Sequence, residues 1–396
     1  MHGFLLTGKK TIKASLSNLQ SDRALRLFEI YCTKCGSPKQ NEAEWRCVCG
    51  GPFESKQEER FDKRLIYREE RSVWRYRTYL PETPEKDLTS LGEGGTPLLQ
   101  LERKEPNVLV KLEYVNPTGS FKDRGSTVLT SYATGVAKRL DFKKAIEDSS
   151  GNAGASIAAY CARAGLQCEI FVPEKVQAVK LAQIEAYGAK VRKVAGTRRH
   201  LSSVTEAEAR DAFYASHIWN PYFTEGTKTL AYEIAESLSW KPPEVVFCPT
   251  SAGSLLIGLY KGFIHLVESD VIESMPRIVA VQSLQVSPIY HEFKGLSYSP
   301  PERLDTIADA LISTEPTRKD EMLKLLRKWN GDCEVAEDNE ILESVKELAR
   351  LGFYVEPSSA TAHAAWKRWK REGKINEDTK VAIPLTGTGL KARYRL

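Results

Sequence analysis

One lysine of this chain stands in a setting that a surface lysine does not need. Residues 116–125 read NPTGSFKDRG, so Lys122 follows a turn built from Pro and Gly and opens a predicted helix. A lysine amine becomes a nucleophile when desolvation or neighbouring charge lowers its pKa, and its characteristic product is a Schiff base with a carbonyl. Taken alone, Lys122 is better interpreted as a solvated lysine at the start of a helix.

Three loops rich in small residues change that interpretation. They read SSGNAG at 149–154, TSAGS at 250–254 and TGTG at 386–389. Each follows a strand-like run and opens a helix, where backbone N–H groups and the positive helix end bind anions. None matches a Walker A loop or the G-x-G-x-x-G pattern. A nucleophilic lysine beside a phosphate cradle predicts a phosphorylated aldehyde cofactor, pyridoxal 5′-phosphate.

The elements that must position these loops alternate along the chain. Strand-like runs such as VLVKLEYV at 108–115, CEIFVP at 168–173 and EVVFCP at 244–249 are separated by helical runs such as GSLLIGLYKGFIHLV at 253–267. This alternation predicts parallel sheets built from βαβ units. The units fall into two clusters, so the expected fold class is α/β with two domains and a cleft between them.

Composition excludes several other classes of protein. The chain has 396 residues, 41% of them hydrophobic and 28% charged, which is typical of a globular protein. The net charge of +5 is spread over the whole chain, so neither a nucleic acid nor a membrane is the expected partner. No apolar run reaches the length of a membrane span. The basic, acid-free first 21 residues weakly resemble a transit peptide, but a cytoplasmic protein is the preferred interpretation.

Four of the eight cysteines lie close together near the N-terminus, as CTKC and CVC. Each of the two pairs is followed by Gly, which suits the tight turns of a zinc ribbon. The predicted zinc ligands are Cys32, Cys35, Cys47 and Cys49. The second pair is C-x-C instead of C-x-x-C, so four free thiols of a lost metal site remain the alternative.

Taken in order, the motifs resemble those of fold-type II pyridoxal-phosphate enzymes, which have the tryptophan synthase β-like fold, and most specifically those of threonine synthases. The matching segments are LGEGGTPL (91–98), NPTGSFKDRG (116–125), SSGNAGASIAAYCARAG (149–165), NPYFTEGTKTLAYEI (220–234), EPSSATAHA (356–364) and LTGTGLK (385–391). The cysteine-rich module is similar to that of archaeal and bacterial threonine synthases. Relatives on this fold are commonly homodimers.

The resemblance implies a role for each matching residue. Lys122 would bind the cofactor as a Schiff base and move protons during the reaction, with Phe121 near the cofactor ring. Asn152 would bond the 3′-oxygen of the ring, and Thr386 would face the pyridine nitrogen, where a neutral hydroxyl moderates the electron sink. The cofactor phosphate would be held by Thr250, Ser251, Ala252, Gly253 and Ser254, and the amino-acid carboxylate by Ser149, Ser150 and Gly151.

The implied reaction converts O-phospho-L-homoserine and water to L-threonine and phosphate. One position departs from the family pattern, because threonine synthases usually read Asn-Pro-x-Arg where this chain has Phe223. That arginine helps to bind the substrate phosphate, and losing a bidentate guanidinium is not conservative. Either another cation replaces it, with Arg124 and Lys228 as candidates, or the substrate carries no phosphate.

Two other functions therefore stay open. A serine or threonine dehydratase, or a β-replacement synthase such as a cysteine or cysteate synthase, would use the same fold and cofactor. A zinc-ribbon module that binds nucleic acid on a cofactor-free relic is the non-enzymatic alternative. The expected organisation is an N-terminal extension (1–27), a zinc-ribbon-like module (28–56), a connector with the first part of the large domain (57–122), a small α/β domain (123–235) and the large cofactor domain (236–396).

Overall fold

The computed structural model describes residues 28–174 and 178–392. The predicted N-terminal extension and its transit-peptide alternative lie outside these residues. Within the described ranges, the strands are β1 (Phe28–Cys32), β2 (Phe53–Gln57), β3 (Leu98–Glu102), β4 (Glu105–Lys111), β5 (Lys144–Glu147), β6 (Gln167–Pro173), β7 (Lys190–Val194), β8 (Phe213–Tyr214), β9 (Val245–Pro249), β10 (Arg277–Ser283), β11 (Asp332–Ala336) and β12 (Val381–Pro384).

The helices alternate with these strands over most of the chain. The α-helices of the described ranges are α1 (Lys122–Leu140), α2 (Asn152–Ala164), α3 (Ala178–Ala186), α4 (Arg198–Glu208), α5 (Pro221–Thr227), α6 (Thr229–Ser237), α7 (Ser254–Glu268), α8 (Pro288–Phe293), α9 (Lys319–Lys328), α10 (Asp338–Arg350) and α11 (Pro357–Arg371). Among them, none combines the length and the apolar character needed to span a bilayer.

Two mostly parallel sheets form the body of the protein. The larger sheet has the strand order β11-β10-β9-β12-β4-β3, in which only the edge pair β3–β4 is antiparallel. The smaller sheet has the order β7-β6-β5-β8 and is parallel throughout. The α/β prediction is therefore confirmed. The small sheet falls inside the range predicted for the small domain, while the domain boundaries themselves stay a prediction.

The larger sheet is buried on both faces, which explains its continuous apolar strands. Successive side chains of β9 alternate between two core clusters: Val246 and Cys248 pack with α7 on one side, and Val245 and Phe247 pack with α11 on the other. All five residues of β9 are buried. Helices on both faces leave the strand ends as the place where loops can form a site.

One predicted strand ends early. The run at 108–115 was expected to be extended throughout, but β4 stops at Lys111 and Glu113–Val115 forms a 3-10 helix. The bend turns the Glu113 carboxylate into the interior, where it pairs with the guanidinium of Arg124 at 2.6 Å. A buried ion pair with a residue eleven positions further along the chain thus prevails over the local β-propensity.

The cysteine module is a short antiparallel ribbon at the start of the described chain. Strands β1 and β2 pair from Phe28 opposite Gln57 to Cys32 opposite Phe53. The connector that follows contains 3-10 helices, of which Val73–Tyr79 buries Trp74, Tyr76 and Tyr79 against the body. The chain then enters the large sheet at β3.

Candidate active site

The turn before Lys122 is fixed by the residue that follows the lysine. The Asp123 carboxylate accepts hydrogen bonds from the Thr118 N–H at 2.7 Å, from the Thr118 hydroxyl at 2.6 Å and from the Ser156 hydroxyl at 2.6 Å. Gly119 has φ +81, and a Cβ there would lie 2.8 Å from the Thr388 methyl. The turn therefore needs Gly at this point, and Lys122 begins α1 in a fixed position.

The ammonium group of Lys122 lies among apolar rings and one hydroxyl. Its Nζ is 3.3 Å from the Ser254 Oγ, 4.9 Å from the centre of the Phe121 ring and 5.5 Å from that of Phe223. Burial of the ammonium lowers the pKa of Lys122 to about 8, against the opposing effect of Glu147 and Glu356. A substantial fraction of the amine is therefore neutral near physiological pH, as a Schiff-base lysine requires.

The 250–254 loop lies at the carboxyl end of β9 and leads into α7. Gly253 precedes the helix with φ 102, and a Cβ there would lie 2.6 Å from the Met322 sulfur. No side chain caps this helix start within the described structure, so its first N–H groups point to the loop. Since the Ser254 hydroxyl also reaches Lys122, the loop forms an anion cradle beside the lysine.

The C-terminal loop closes against the lysine turn from the other side. The Thr386 carbonyl accepts the Phe121 N–H at 3.0 Å, and the Thr386 N–H donates to the Ser359 hydroxyl at 2.7 Å. Ser120 forms an isolated β-bridge with Gly387. The C-terminal loop and the lysine turn, which lie far apart in the sequence, are thus joined next to Lys122.

The 149–154 loop follows β5 and opens α2. Asn152 begins the helix, and its amide nitrogen donates to both carboxylate oxygens of Glu356 at 3.1 Å. The Asn152 amide oxygen accepts from the Lys391 Nζ at 3.3 Å. A Cβ on Gly154 would lie 1.9 Å from the Ser149 carbonyl oxygen, so the loop turns tightly onto the helix. Like α7, the described α2 begins without a side-chain cap.

A buried acid–histidine pair lies beside Phe223. The Nδ1 of His217 is 2.7 Å from the Glu147 carboxylate, and the His217 ring meets the Phe223 ring edge-on at 5.8 Å. Phe223 is fully buried, and a Cβ on Gly125 would lie 2.5 Å from its ring. The wall beside Lys122 at this point is therefore apolar.

Two predicted substrate-binding cations are placed elsewhere. The Arg124 guanidinium is fully buried and bonds the carboxylates of Glu113 and Glu233 at 2.6 to 2.8 Å. Lys228 is 1% exposed, pairs with Glu225 and donates to the Gln57 side chain at 2.7 Å. Each cation is committed to internal partners, so the expectation that either one binds substrate is not supported by its position.

The predicted cofactor-binding residues, in contrast to these two cations, lie close together. Lys122 contacts Ser254, Phe121 contacts Thr386, and Asn152 lies beside the same C-terminal loop. The amine, the uncapped loop 250–254 and the Asn152 amide are the groups that a phosphorylated aromatic aldehyde needs, so the residues fit pyridoxal 5′-phosphate. This fit rests on donor chemistry and contacts among the described residues.

Sequence reasoning missed four charged or titratable residues at this site, namely Glu147, His217, Glu356 and Lys391. Glu147 is the last residue of β5, and Glu356 precedes α11. An acidic residue at the carboxyl end of a buried parallel strand was a readable signal for Glu147. His217 carried no such signal. Glu356 and Lys391 lie at the ends of the motifs EPSSATAHA and LTGTGLK, but their contacts with Asn152 join segments far apart in the chain.

The four N-terminal cysteines form one cluster whose sulfur atoms all lie within 4.8 Å of one another. The Cys32 and Cys49 sulfurs are 3.4 Å apart, and those of Cys35 and Cys47 are 3.6 Å apart. A tetrahedral Zn²⁺ with Zn–S bonds of about 2.3 Å has sulfur–sulfur edges of about 3.8 Å. The donor set therefore fits zinc, and all four thiols are free of disulfides.

The turns that follow the two cysteine pairs have the tight backbone that is typical of zinc-binding turns. Gly36 and Gly50, which follow the two pairs, have φ +74 and +79. A Cβ on Gly51 would lie 2.6 Å from the Cys32 sulfur. Only Gly can occupy these positions without strain, so the backbone is shaped around the sulfur atoms.

Comparison with known proteins agrees with the geometry. The family profile described as pyridoxal-phosphate dependent enzyme matches residues 89–387. The threonine synthase of Methanocaldococcus jannaschii is 35% identical over 381 residues, covering 91% of this chain and 92% of the relative. The threonine synthase of Methanosarcina acetivorans is 32% identical and covers 92% of each chain.

Solved structures resemble the chain in fold alone. Threonine deaminase isoform 2 from Solanum lycopersicum superposes with a TM-score of 0.64 at 20% identity, covering 80% of this chain and 89% of that one. Maize serine racemase superposes with a TM-score of 0.62 at 21% identity, covering 74% of this chain and 88% of its own. The fold is thus that of fold-type II pyridoxal-phosphate enzymes.

Proposed function

Since the chain belongs to the family of pyridoxal-phosphate dependent enzymes, we propose that it is a lyase that converts O-phospho-L-homoserine and water to L-threonine and phosphate. The class of substrate is a small amino acid, and the two archaeal relatives are named threonine synthases. One observation above all supports the proposal. Lys122, whose pKa is lowered to about 8 by burial, lies beside the uncapped start of α7.

The proposed reaction needs one mobile base confined close to the substrate. When bound, the cofactor would act as an electron sink that acidifies the Cα and Cβ hydrogens of the amino acid. Lys122 would remove one proton from Cα and one from Cβ, and phosphate would leave from Cγ. A proton would then be added to Cγ to complete the methyl group, water would add its hydroxyl at Cβ, and Cα would regain a proton. Its short reach to Ser254 and to Phe121 keeps the amine inside the site for both tasks.

The other residues would bind and orient. The loop 149–151 and the start of α2 offer N–H groups to the substrate carboxylate, as an uncapped helix terminus does for anions. Lys391 is the cation that we propose for the substrate phosphate, because its Nζ lies at Asn152, on the wall of the site. Thr386 would keep the ring nitrogen of the cofactor beside a neutral group.

The experiment is a substrate panel on the cofactor-loaded enzyme. Phosphohomoserine, threonine and serine are supplied separately, and phosphate, threonine and 2-oxo acids are assayed. We expect phosphate and threonine in equal amounts from phosphohomoserine, and neither product from the Lys122→Ala variant. Phosphate without threonine, or a 2-oxo acid from serine alone, would exclude the proposal.

A second candidate function is favoured by Phe223. A dehydratase or a β-replacement synthase acts on an amino acid whose leaving group carries no phosphate, or it binds a phosphate leaving group less tightly than a threonine synthase does. The buried Phe223 ring offers that leaving group an apolar wall where threonine synthases usually have Arg. The same panel detects a dehydratase, because only this alternative releases a 2-oxo acid from serine. Adding sulfide to the serine assay tests for exchange of the β-substituent.

Three further properties belong to the proposal. The cysteine cluster would hold one structural Zn²⁺, which its sulfur geometry supports. The protein would act in the cytoplasm, which its eight free thiols suit. It would assemble as a homodimer, as relatives on this fold commonly do. Metal analysis, fractionation and light scattering test these properties one by one.

A further inference from the structure

Helix α5 lies between the cofactor lysine and the cysteine module. It is seven residues long, Pro221–Thr227, and every residue in it is buried. One side of the helix faces α1, which begins with Lys122, and the other faces strand β2 of the module. A short buried helix takes its position from the elements packed against it, since cores are close-packed. For α5 these elements are α1, β2 and also α7, where the Thr227 hydroxyl donates to the Ser254 carbonyl at 2.9 Å.

The contact with α1 is close enough to transmit a shift. A Cβ on Gly226 would lie 1.9 Å from the Arg124 carbonyl oxygen, and a Cβ on Gly125 would lie 2.5 Å from the Phe223 ring. The backbones thus touch at two glycines, one on each helix. Any displacement of α5 moves the Phe223 ring, which lies 5.5 Å from the Lys122 Nζ.

The contact with β2 is made by hydrogen bonds and charges. The Ser55 hydroxyl donates to the Glu225 carboxylate at 2.6 Å. The Thr224 hydroxyl lies 3.3 Å from the Glu54 carboxylate, and Lys228, just after the helix, donates to Gln57 at 2.7 Å. Two successive side chains of α5 and the lysine just after it are therefore tied to three residues of one strand in the module.

Glu54 is the centre of this contact. It is buried, and it pairs with Lys261 of α7 and with Arg318, just before α9. Burial alone would raise the pKa of Glu54, but the two cations lower it to about 2. Lys261 also pairs with Glu225 at 2.6 Å. Glu54 is thus a permanent anion whose loss leaves cations buried without full compensation.

The module also reaches the small sheet, so it spans both halves of the protein. The Trp45 ring meets the Tyr214 ring at 5.2 Å and the Trp219 ring at 5.3 Å, both edge-on. Arg46 pairs with Glu206 of α4 at 3.2 Å. The module is therefore held by contacts with the small sheet and α4 as well as by its contacts with α5 and α7.

We infer that Glu54 is a positioning residue of the active site: through Lys261, Ser55 and Glu225 it fixes α5, and α5 holds Phe223 against Lys122. The cysteine module is then part of the catalytic architecture. This role concerns the lysine site and not the identity of the substrate, so it can be tested by cofactor binding as well as by turnover.

A double-mutant cycle tests the inference with the full chain. The variants are Glu54→Gln, Phe223→Leu and their combination, with Glu29→Gln as the control for charge loss at an exposed position of β1. The readouts are the rate at which the apo-protein captures pyridoxal 5′-phosphate, kcat/KM on the substrate found in the panel, and amide exchange in 221–227. Circular dichroism checks the fold of each variant.

We expect Glu54→Gln to lower the capture rate and kcat/KM by about 10- to 100-fold, the range for a misplaced catalytic group, and to speed amide exchange in 221–227. In the Phe223→Leu background, the same change should cost less than about threefold, because its route to Lys122 is already broken. Equal losses in both backgrounds would overturn the inference, as would a Glu54→Gln protein that captures the cofactor at the rate of Glu29→Gln.

A milder variant covers the case in which Glu54→Gln does not fold. Ser55→Ala removes only the hydroxyl that joins β2 to Glu225 and accepts from Lys261 at 3.0 Å. It should slow cofactor capture by about two- to fivefold, on the order of one hydrogen bond, and this loss too should vanish in the Phe223→Leu background. A folded Ser55→Ala protein with an unchanged capture rate would overturn the inference.

Discussion

The Lys122 Nζ lies 5.5 Å from the centre of the Phe223 ring, and the ring is fully buried against Gly125. An aromatic face attracts a cation weakly and gives it no hydrogen bond. Arginine at this position would instead offer a guanidinium to an anionic leaving group. The position of Phe223 beside Lys122, the proposed cofactor lysine, therefore bears on which leaving group the substrate carries.

Replacing Phe223 by Arg should shift the enzyme toward a phosphorylated substrate. We expect kcat/KM for phosphohomoserine to rise about tenfold, the effect of one charge-assisted interaction, and activity on serine to fall. Phe223→Leu is the matched control and should leave the preference unchanged. An identical substrate preference in all three proteins would show that the residue does not determine specificity.

Cofactor capture by the apo-protein should follow the neutral fraction of Lys122. Since burial lowers the pKa of this amine from 10.5 to about 8, the capture rate should rise about tenfold per pH unit below that value and level off above it. Stopped-flow absorbance at fixed pyridoxal 5′-phosphate measures the profile, with Lys122→Met as the blank. A midpoint near the unperturbed value would contradict the placement of the amine.

The lowered pKa of Lys122 also makes the free energy of unfolding depend on pH. Between pH 8 and 10.5 the unfolded chain binds a proton at Lys122 that the folded apo-protein has released, so this group makes stability rise with pH across that window. Lys122→Met removes the effect. Its stability advantage over the wild type in urea unfolding should therefore be largest below pH 8 and shrink as the pH approaches 10.5. An advantage that does not change with pH would point to packing and not to the charge.

The sheets, the lysine turn and the three loops were predictable because each is written in a short stretch of sequence. The position of the Arg124 side chain was not predictable, because closeness to Lys122 in sequence does not show which way the side chain points. Two residues apart on an α-helix means a rotation of about 200°, so Arg124 points away from the side that presents Lys122. Glu356 and Lys391 meet Asn152 across more than 200 residues, and local patterns hold no information about such a meeting.

Arg124→Met should damage the fold more than substrate binding. It leaves the carboxylates of Glu113 and Glu233 without their shared guanidinium, and breaking a buried pair in this way costs about 3–5 kcal/mol. Urea unfolding measures the loss, and the exposed Arg350→Met should stay within about 0.5 kcal/mol of the wild type. In the protein that remains folded, KM should be unchanged. A normal stability with a raised KM would restore Arg124 as a substrate ligand.

Lys391→Met should weaken binding of an anionic substrate. The Lys391 Nζ lies 3.3 Å from the Asn152 amide oxygen, and burial lowers its pKa, so it has little water to lose when it meets an anion. We expect KM for phosphohomoserine to rise about tenfold with a smaller change in kcat, the pattern of lost ground-state binding. The exposed Lys324→Met is the control. An unchanged KM would remove Lys391 from the proposed phosphate site.

Zinc removal should destabilise the cysteine module and, through Glu54, the lysine site. Four sulfurs within 4.8 Å form a closed donor set, and structural Zn²⁺ in such sites contributes folding free energy directly. We expect about one Zn²⁺ per chain in protein purified with zinc present, and a lower Tm after chelation or in Cys35→Ser. The control for loss of a thiol is Cys168→Ser, which lies outside the cluster. If Cys35→Ser kept the wild-type Tm and the protein held no metal, the cluster would be four free thiols. In that case the module would be held by its contacts with the body of the protein, such as those of Glu54 with Lys261 and Arg318.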